Sequence, residues 1–246
     1  MKRLFLLAVA AAMTMLSCSK NEDNSVLLSK MSYTLYHSQT ENIQGENVTA
    51  LDWESGNEFV ATVSDGVIKG QFVGETTVQE SSHRLSFNVE VKPKYNLYTE
   101  PDMNWGASIS TIISRYGTPY SSDSEMLMYK STNSNVPYYM YYFENGKLKY
   151  SYALVKLSAS STLVDFLTER YLTVNVNMST YTATFTHCYG KISNPQYDYA
   201  VAFSYYSSIG GILVTYAPNS STYTRTNNDT QGYIENLFIE KGIKIE

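Results

Sequence analysis

Two adjacent residues, His187 and Cys188, come closest in this sequence to a catalytic thiol beside its base. A cysteine nucleophile needs a histidine within hydrogen-bonding reach to activate it. The pattern of residues 181–189 predicts a β-strand, in which neighbouring side chains point to opposite faces. His187 shares its face with the aromatic residues of that strand, so we expect a hydrogen-bonded histidine at the edge of a core.

The carboxylates give no clearer signal for catalysis. Asp165 and Glu169 are four positions apart on the polar side of a predicted helix, which predicts a solvated face. Glycoside hydrolysis needs two carboxylates across a cleft, one with a raised pKa, and the sequence pairs none in this way. His37 and His83 have no cysteine or carboxylate at metal-ligand spacing. We therefore predict no catalytic residues, no metal and no cofactor.

Composition limits the classes of partner. The chain has 246 residues with a net charge of −5, and it lacks the clustered lysines and arginines that nucleic-acid phosphates require. Of its 23 tyrosines, all but Tyr33 and Tyr36 lie beyond residue 94. Tyrosine favours strands and combines an apolar ring with a polar tip. The second half is therefore predicted to be β-rich, and a dedicated binding surface is the alternative interpretation.

The first 17 residues have the pattern of a signal peptide. Lys2 and Arg3 precede a run of about a dozen apolar residues, too short to span a hydrocarbon core of about 30 Å. The Leu16-Ser17-Cys18 ending resembles a lipobox, which implies cleavage before Cys18 and lipid attachment to its thiol. An ordinary signal peptide is the alternative. With Cys18 lipidated, Cys188 has no partner for an intrachain disulfide.

Residues 18–25 are polar and form a predicted tether to the membrane. The Glu22-Asp23 pair resembles the acidic tether that directs some lipoproteins of diderm bacteria to the cell surface, and a merely solvated linker fits equally well. The expected location is the bacterial outer membrane, held by lipid on Cys18, with exposure on the cell surface left open.

Residues 26–94 alternate short strand patterns with turns. Trp53-x-Ser, Val-Ala-Thr-Val from position 60, Gly-x-Ile-x-Gly from position 66 and Gly-x-Thr-x-Val from position 74 follow in order. This series resembles the group 2 bacterial immunoglobulin-like domain. The resemblance implies an all-β sandwich with Trp53 between its sheets. It also implies a spacer or adhesion module without catalysis.

Residues 95–246 predict a Tyr-rich α+β domain with an antiparallel sheet, or two, and helices on one face. Ser108 is the expected cap of a helix, and Ser160 or Ser161 of another. Each helix precedes three predicted strands, which suggests an internal repeat of a helix and three strands. The predicted strands are 126–131, 138–144 and 147–157, then 181–189, 197–206 and 211–217, followed by a last helix at 230–241.

A short segment at the start of this domain carries a second resemblance. Trp105-Gly106-Ala107-Ser108 followed by Gly117-Thr118-Pro119 resembles the helix opening of small envelope α/β domains of the β-lactamase-inhibitor-like type. The resemblance implies a domain that binds other proteins, and it transfers no functional residue.

A tight turn predicts where a ligand would bind. Asn145-Gly146 is typical of a two-residue hairpin, whose register would pair Glu144 with Lys147. One face of this hairpin would then sit under the helices, and the other would point outwards. We expect the outer face to be the ligand surface, and the alternative is that another part of the protein covers it. Its members are Tyr138, Met140, Tyr142 and Lys149.

These observations predict a non-catalytic cell-envelope lipoprotein whose C-terminal domain binds a surface glycan or protein. One alternative is an inhibitor or assembly adaptor for a single envelope protein. Another is an enzyme that acts on glycan or peptidoglycan.

Overall fold

The computed structural model describes residues 26–82, 84–177 and 179–218, together with positions 234, 236, 238 and 240 of a C-terminal helix. The predicted signal peptide, Cys18, the tether and His83 lie outside the described residues. Strands predominate and most pair antiparallel, which confirms the β-rich fold class.

The N-terminal half, residues 26–94, forms two main sheets. One has the order β2-β9-β8-β5, the other β3-β7-β6, and β1 pairs with β4. Strands β2 and β9 are parallel and the other neighbours are antiparallel. The bounds are β1 Leu27–Leu28, β2 Ser32–Tyr36, β3 Thr40–Asn42, β4 Gly45–Glu46, β5 Trp53–Ser55, β6 Ala61–Ser64, β7 Val67–Gly70, β8 Gly74–Glu80 and β9 Ser86–Lys92.

The two sheets enclose one apolar core, because alternate residues of each strand point inwards. Trp53 lies in this core at 7% exposure, its ring 5.3 Å from that of Phe87. Its indole N–H donates to the Val48 carbonyl at 2.9 Å, which satisfies the polar tip of the side chain. Asp65 and Gly66, both at positive φ, form the turn of the hairpin between β6 and β7.

The C-terminal half builds one antiparallel sheet of eight strands in the order β10-β11-β12-β13-β17-β16-β15-β14. The sequence was compatible with either one or two antiparallel sheets in this half, and the structure has one. Helix α1 spans Ile109–Tyr116 and α2 spans Ser160–Thr168, directly after a 3-10 turn at Leu157–Ala159. The strands are β10 Ser121–Ser122, β11 Met126–Lys130, β12 Tyr138–Glu144, β13 Lys147–Lys156, β14 Leu172–Asn177, β15 Thr182–Lys191, β16 Asn194–Tyr206 and β17 Gly211–Pro218.

The order of elements recurs within this half: each helix precedes four strands, so that β13 and β17 meet at the centre of the sheet. The prediction of three strands per helix missed β10 and β14. Strand β10 has two residues, and all six residues of β14 are exposed. Neither therefore shows the alternation of buried and exposed positions by which strands are recognised.

The two helices begin differently. Ser108 caps α1 as predicted, and its hydroxyl accepts the Thr111 N–H at 3.2 Å. The predicted cap at Ser160 or Ser161 is wrong, because Ala159 occupies the N-cap of α2 without a side-chain bond. The preceding 3-10 turn runs straight into α2, and the Ser160 N–H already bonds to the Leu157 carbonyl.

Helices cover both faces of the sheet, so the prediction of helices on one face is wrong. Helices α1 and α2 pack on one face, with Ile112 and Phe166 fully buried. The C-terminal helix packs on the other face through Ile234 and Phe238. That face carries the buried side chains of Met126, Met128, Met140, Tyr152, Leu154 and Leu213, and so much apolar surface requires a cover.

A β-bulge changes the register of the hairpin at Asn145-Gly146. Glu144 pairs with Lys147 as predicted, and Phe143 pairs with Leu148. The register then shifts, so that Tyr142 faces Tyr150 and Lys149 is the additional residue. A two-residue turn without a bulge predicts that Tyr142 pairs with Lys149 and Tyr141 with Tyr150, and this part of the predicted register is wrong. Beyond the bulge, every side chain of β13 points to the face opposite to the predicted one.

Glu169 joins the two halves, and its prediction as part of a solvated face is wrong. Its side chain is buried and accepts the backbone N–H groups of Lys94 and Tyr95 at 2.9 and 3.0 Å. The guanidinium of Arg170 pairs with the same carboxylate at 2.6 Å. Asp165 stays exposed. The helical spacing predicted both residues on one side, but Glu169 follows the last residue of α2 and turns towards the linker.

Candidate functional site

The expected ligand face at Tyr138, Met140 and Tyr142 is partly covered by the chain itself. Met140 is fully buried, and the Tyr138 ring lies 5.7 Å from that of Phe238 on the C-terminal helix. Lys149 is the bulge residue, and its ammonium pairs with Glu144 at 2.7 Å. A structural cover over this face, the alternative given above, therefore holds for Met140, whereas Tyr138, Tyr142 and Lys149 are half-buried.

An open cleft lies on the opposite face of the same strands. It has a volume of about 330 Å³ and lies between the end of α1, the edge of the sheet and the segment from Thr99 to Pro101. We call it the tyrosine cleft. Its described lining is Thr99, Glu100, Pro101, Tyr116, Tyr129, Lys130, Ser131, Thr132, Tyr139 and Tyr141.

Strand periodicity brings three of the four tyrosines to the cleft. Tyr129 of β11 pairs with Tyr139 of β12, and Tyr141 lies two residues further along, on the same face. The fourth, Tyr116, ends α1 four residues after the buried Ile112 and so projects over the sheet. A short amphipathic helix and two strands therefore place the four rings side by side.

Tyr141 forms the floor of the cleft, and Tyr129 forms one wall. Tyr141 is 2% exposed, and the ring of Tyr116 is stacked on it with ring centroids 5.5 Å apart. Tyr129 meets Tyr141 edge-on at 5.9 Å. Burial raises the pKa of Tyr139 to about 12 and that of Tyr141 further, so both hydroxyls keep their protons near neutral pH. The site offers flat apolar surface edged with hydroxyl groups.

A buried polar network stands behind the cleft, centred on Glu100. The Tyr171 hydroxyl donates to Glu100 Oε1 and lies 3.2 Å from the Tyr199 hydroxyl. The hydroxyls of Tyr98 and Tyr216 form a second pair, 2.6 Å apart. Burial raises the pKa of the Glu100 carboxyl, against the opposing effects of the Tyr171 bond and the Arg170 charge. The tyrosine-rich composition thus builds both the cleft and its support.

The second carboxylate of this loop, Asp102, is engaged elsewhere. Its side chain pairs with the guanidinium of Arg115, and Ser151 Oγ donates to its backbone carbonyl. Asp102 is 8% exposed and does not belong to the described lining of the cleft, where Glu100 is the carboxylate. The described lining therefore lacks the pair of facing carboxylates that glycoside hydrolysis uses.

His187 and Cys188 lie away from the cleft and do not form a dyad. The His187 ring stacks on Tyr199 at 4.7 Å, and its Nδ1 lies 3.3 Å from the Asp198 carboxylate. Burial lowers the pKa of His187, against the opposing charge of Asp198. The Cys188 thiol is buried against the Thr186 carbonyl, and burial raises its pKa, which favours the unreactive thiol.

Sequence patterns could not single out the cleft. Glu100 lies in a loop without a recognisable motif, and its hydrogen bond with Tyr171 crosses 71 positions of the chain. The one available signal of a binding site was the concentration of tyrosine after residue 94, which we interpreted mainly as strand propensity.

The raised pKa of Glu100 predicts a pH-dependent effect of Glu100→Gln. Because burial penalises the ionised carboxylate, the wild-type protein loses stability as pH rises from the ordinary value of 4.5 through the folded-state pKa. Glutamine removes this penalty and still accepts from Tyr171. We therefore expect the variant to gain stability relative to wild type between pH 4 and pH 8, measured by urea unfolding.

The control for Glu100→Gln is Glu75→Gln, which removes one negative charge from an exposed strand position. A stability difference between Glu100→Gln and wild type that stays constant across this pH range would contradict the raised pKa.

In comparisons with known proteins, no family model, no curated protein and no solved structure matches this chain. Among the described residues, no group of three or more histidine, cysteine or acidic side chains could hold a metal ion. The helices within those residues are all too short or too polar to cross a membrane.

Proposed function

We propose that this chain is a lipid-anchored protein of the bacterial outer membrane that binds an envelope ligand, without catalysis, in its tyrosine cleft. The observation that carries the proposal is the cleft itself, an aromatic hollow of about 330 Å³ on the sheet. Sites for small ligands are concave, mostly apolar and supplied with a few polar groups. The tyrosine cleft has these properties.

The N-terminal half fits the role of a spacer in this proposal. Its two sheets and the burial of Trp53 support the resemblance to a group 2 bacterial immunoglobulin-like domain. The loop at Asn57 and Glu58 holds the turn of the β15–β16 hairpin, where the Glu58 N–H donates to the Gly190 carbonyl at 2.8 Å. The spacer therefore presents the C-terminal sheet in a defined orientation.

Anchoring is tested by Cys18→Ser. Lipid chains stabilise membrane attachment by about 0.8 kcal/mol for each buried CH₂, so losing them is expected to move the protein from the membrane fraction to the soluble fraction. Cell fractionation followed by immunoblotting measures this. The matched control is Cys188→Ser, which keeps the proposed lipid site and should stay with the membrane. A Cys18→Ser protein that resists salt and carbonate washing of membranes would refute the anchor.

Binding is tested with the soluble Cys18→Ser protein and washed envelope fragments from the organism that makes it. Tyr116→Ala removes an exposed ring of the cleft and should abolish retention of the protein on the fragments. The control is Tyr181→Ala, since Tyr181 is 43% exposed against 44% for Tyr116 and lies next to Tyr205, outside the cleft. Equal retention of both variants would remove the cleft from the proposal.

A further inference from the structure

We infer that the ligand of the tyrosine cleft is a neutral saccharide, whose ring lies on the exposed face of Tyr116 and whose hydroxyl groups bond to the polar rim of the cleft. This inference rests on the proposed function and narrows it to one class of ligand.

The shape of the aromatic surface suits a saccharide ring. A pyranose has a flat face of C–H groups and an edge of hydroxyls, so it needs an apolar platform beside polar groups. Tyr116 offers such a platform: its ring is stacked on Tyr141 on one side and is 44% exposed overall. Tyr129, whose ring lies 5.9 Å from that of Tyr116 and is tilted by 58° to it, closes one side of the platform. A small flat ligand is thereby bounded from two directions.

The cleft is also held open before any ligand arrives. The Tyr129 hydroxyl donates to the Gly117 carbonyl at 3.1 Å, and the Tyr139 hydroxyl donates to the Thr99 carbonyl at 3.0 Å. These bonds fix both rings to the backbone on either side of the hollow, so little side-chain ordering remains to be lost on binding. With their protons committed, both oxygens keep lone pairs that can accept from ligand hydroxyls.

The polar residues at the rim of the cleft can form hydrogen bonds with the hydroxyl groups of a saccharide. The polar residues Glu100, Ser131 and Thr132 belong to the lining of the same hollow. Together they can accept from and donate to a ligand that carries hydroxyl groups on several carbons. A purely apolar ligand would leave these groups without their water partners, which costs binding free energy.

The charge and size of the cleft argue against the other classes of ligand. Among the described residues, its charged lining consists of one acid, Glu100, and one base, Lys130, whose ammonium lies 4.0 Å above the ring of Tyr120. A phosphate-bearing ligand would face a carboxylate without a cluster of cations. A protein partner would need about 20–30 contact residues on each side, whereas ten described residues line the cleft.

The class of ligand is tested by treating envelope fragments before the retention assay with soluble Cys18→Ser protein. One portion is oxidised with periodate, which cleaves the vicinal diols of saccharides, and another is digested with proteinase. We expect retention that depends on Tyr116 to be lost after periodate and to survive the proteinase. Polysaccharide extracted from the envelope and freed of protein should bind the soluble protein directly, at least tenfold more weakly with Tyr116→Ala.

Substitution by phenylalanine refines this result. Tyr116→Phe keeps the ring and should retain binding to the extracted polysaccharide within about threefold, if stacking dominates at this position. Thermal unfolding of each variant establishes that the fold is intact, and Tyr181→Ala again serves as the control for loss of an exposed tyrosine.

The outcomes separate this inference from the proposed function. Retention that depends on Tyr116 but resists periodate, or that proteinase removes, would overturn the saccharide while leaving a binding cleft in place. Retention that does not depend on Tyr116 in any portion would overturn both.

Discussion

Replacing Trp53 with alanine is expected to lower the free energy of unfolding of the N-terminal half by about 3–5 kcal/mol, as for other buried large aromatics. The indole is 7% exposed and packs between the sheets against Phe87. Alanine would leave a cavity in a small core and strip the Val48 carbonyl of the indole N–H. Urea unfolding followed by circular dichroism measures the loss.

The control for Trp53 is Lys69→Ala, at an exposed position of β7 next to the buried Ile68. Exposed substitutions of this kind usually change stability by less than about 0.5 kcal/mol. A loss below about 1 kcal/mol for Trp53→Ala would place the indole outside the core and would undercut the resemblance to an immunoglobulin-like domain.

Replacing Phe238 with alanine should cost a similar amount, about 3–5 kcal/mol, in the C-terminal half. Phe238 is fully buried, and its ring meets that of Tyr138 edge-on at 5.7 Å. Losing it would uncover the face that carries Met140. We expect increased binding of an apolar dye such as ANS together with the loss of stability.

Asn236→Ala serves as the control for Phe238, because position 236 lies on the same helix and is exposed. Equal and small effects of the two substitutions would mean that the C-terminal helix does not cover the sheet. In that case the face with Tyr138 and Tyr142 would return as a candidate ligand surface.

The sequence predicted those elements whose local pattern matches their environment. Helix α1 begins and ends where its cap at Ser108 and the glycine at 117 indicate, and β12 has the predicted bounds Tyr138–Glu144. Strand β14 was not predicted because all its residues are exposed. Periodicity reports burial, so an element without a buried face leaves no periodic signal.

The errors in the predicted site have a common cause, which is that they depend on contacts distant in sequence. Because Lys149 is an additional residue in β13, the side chains that follow it point to the face opposite to the predicted one. No local sequence pattern predicts a bulge at this position. The cover over Met140 comes from a helix almost 100 residues further along. Helical periodicity predicted that Glu169 is solvated because its partners, Lys94 and Tyr95, lie about 75 positions earlier, where the two halves of the chain join.

The central claim is that an envelope ligand occupies the tyrosine cleft, and tyrosine nitration with peptide mass spectrometry tests it most directly. Tyr116 and Tyr181 are 44% and 43% exposed, so their rates of nitration can be compared within one molecule. Adding envelope fragments to the soluble protein should slow nitration of Tyr116 several-fold and leave Tyr181 unchanged. Equal rates for Tyr116 with and without saturating envelope fragments would contradict the account.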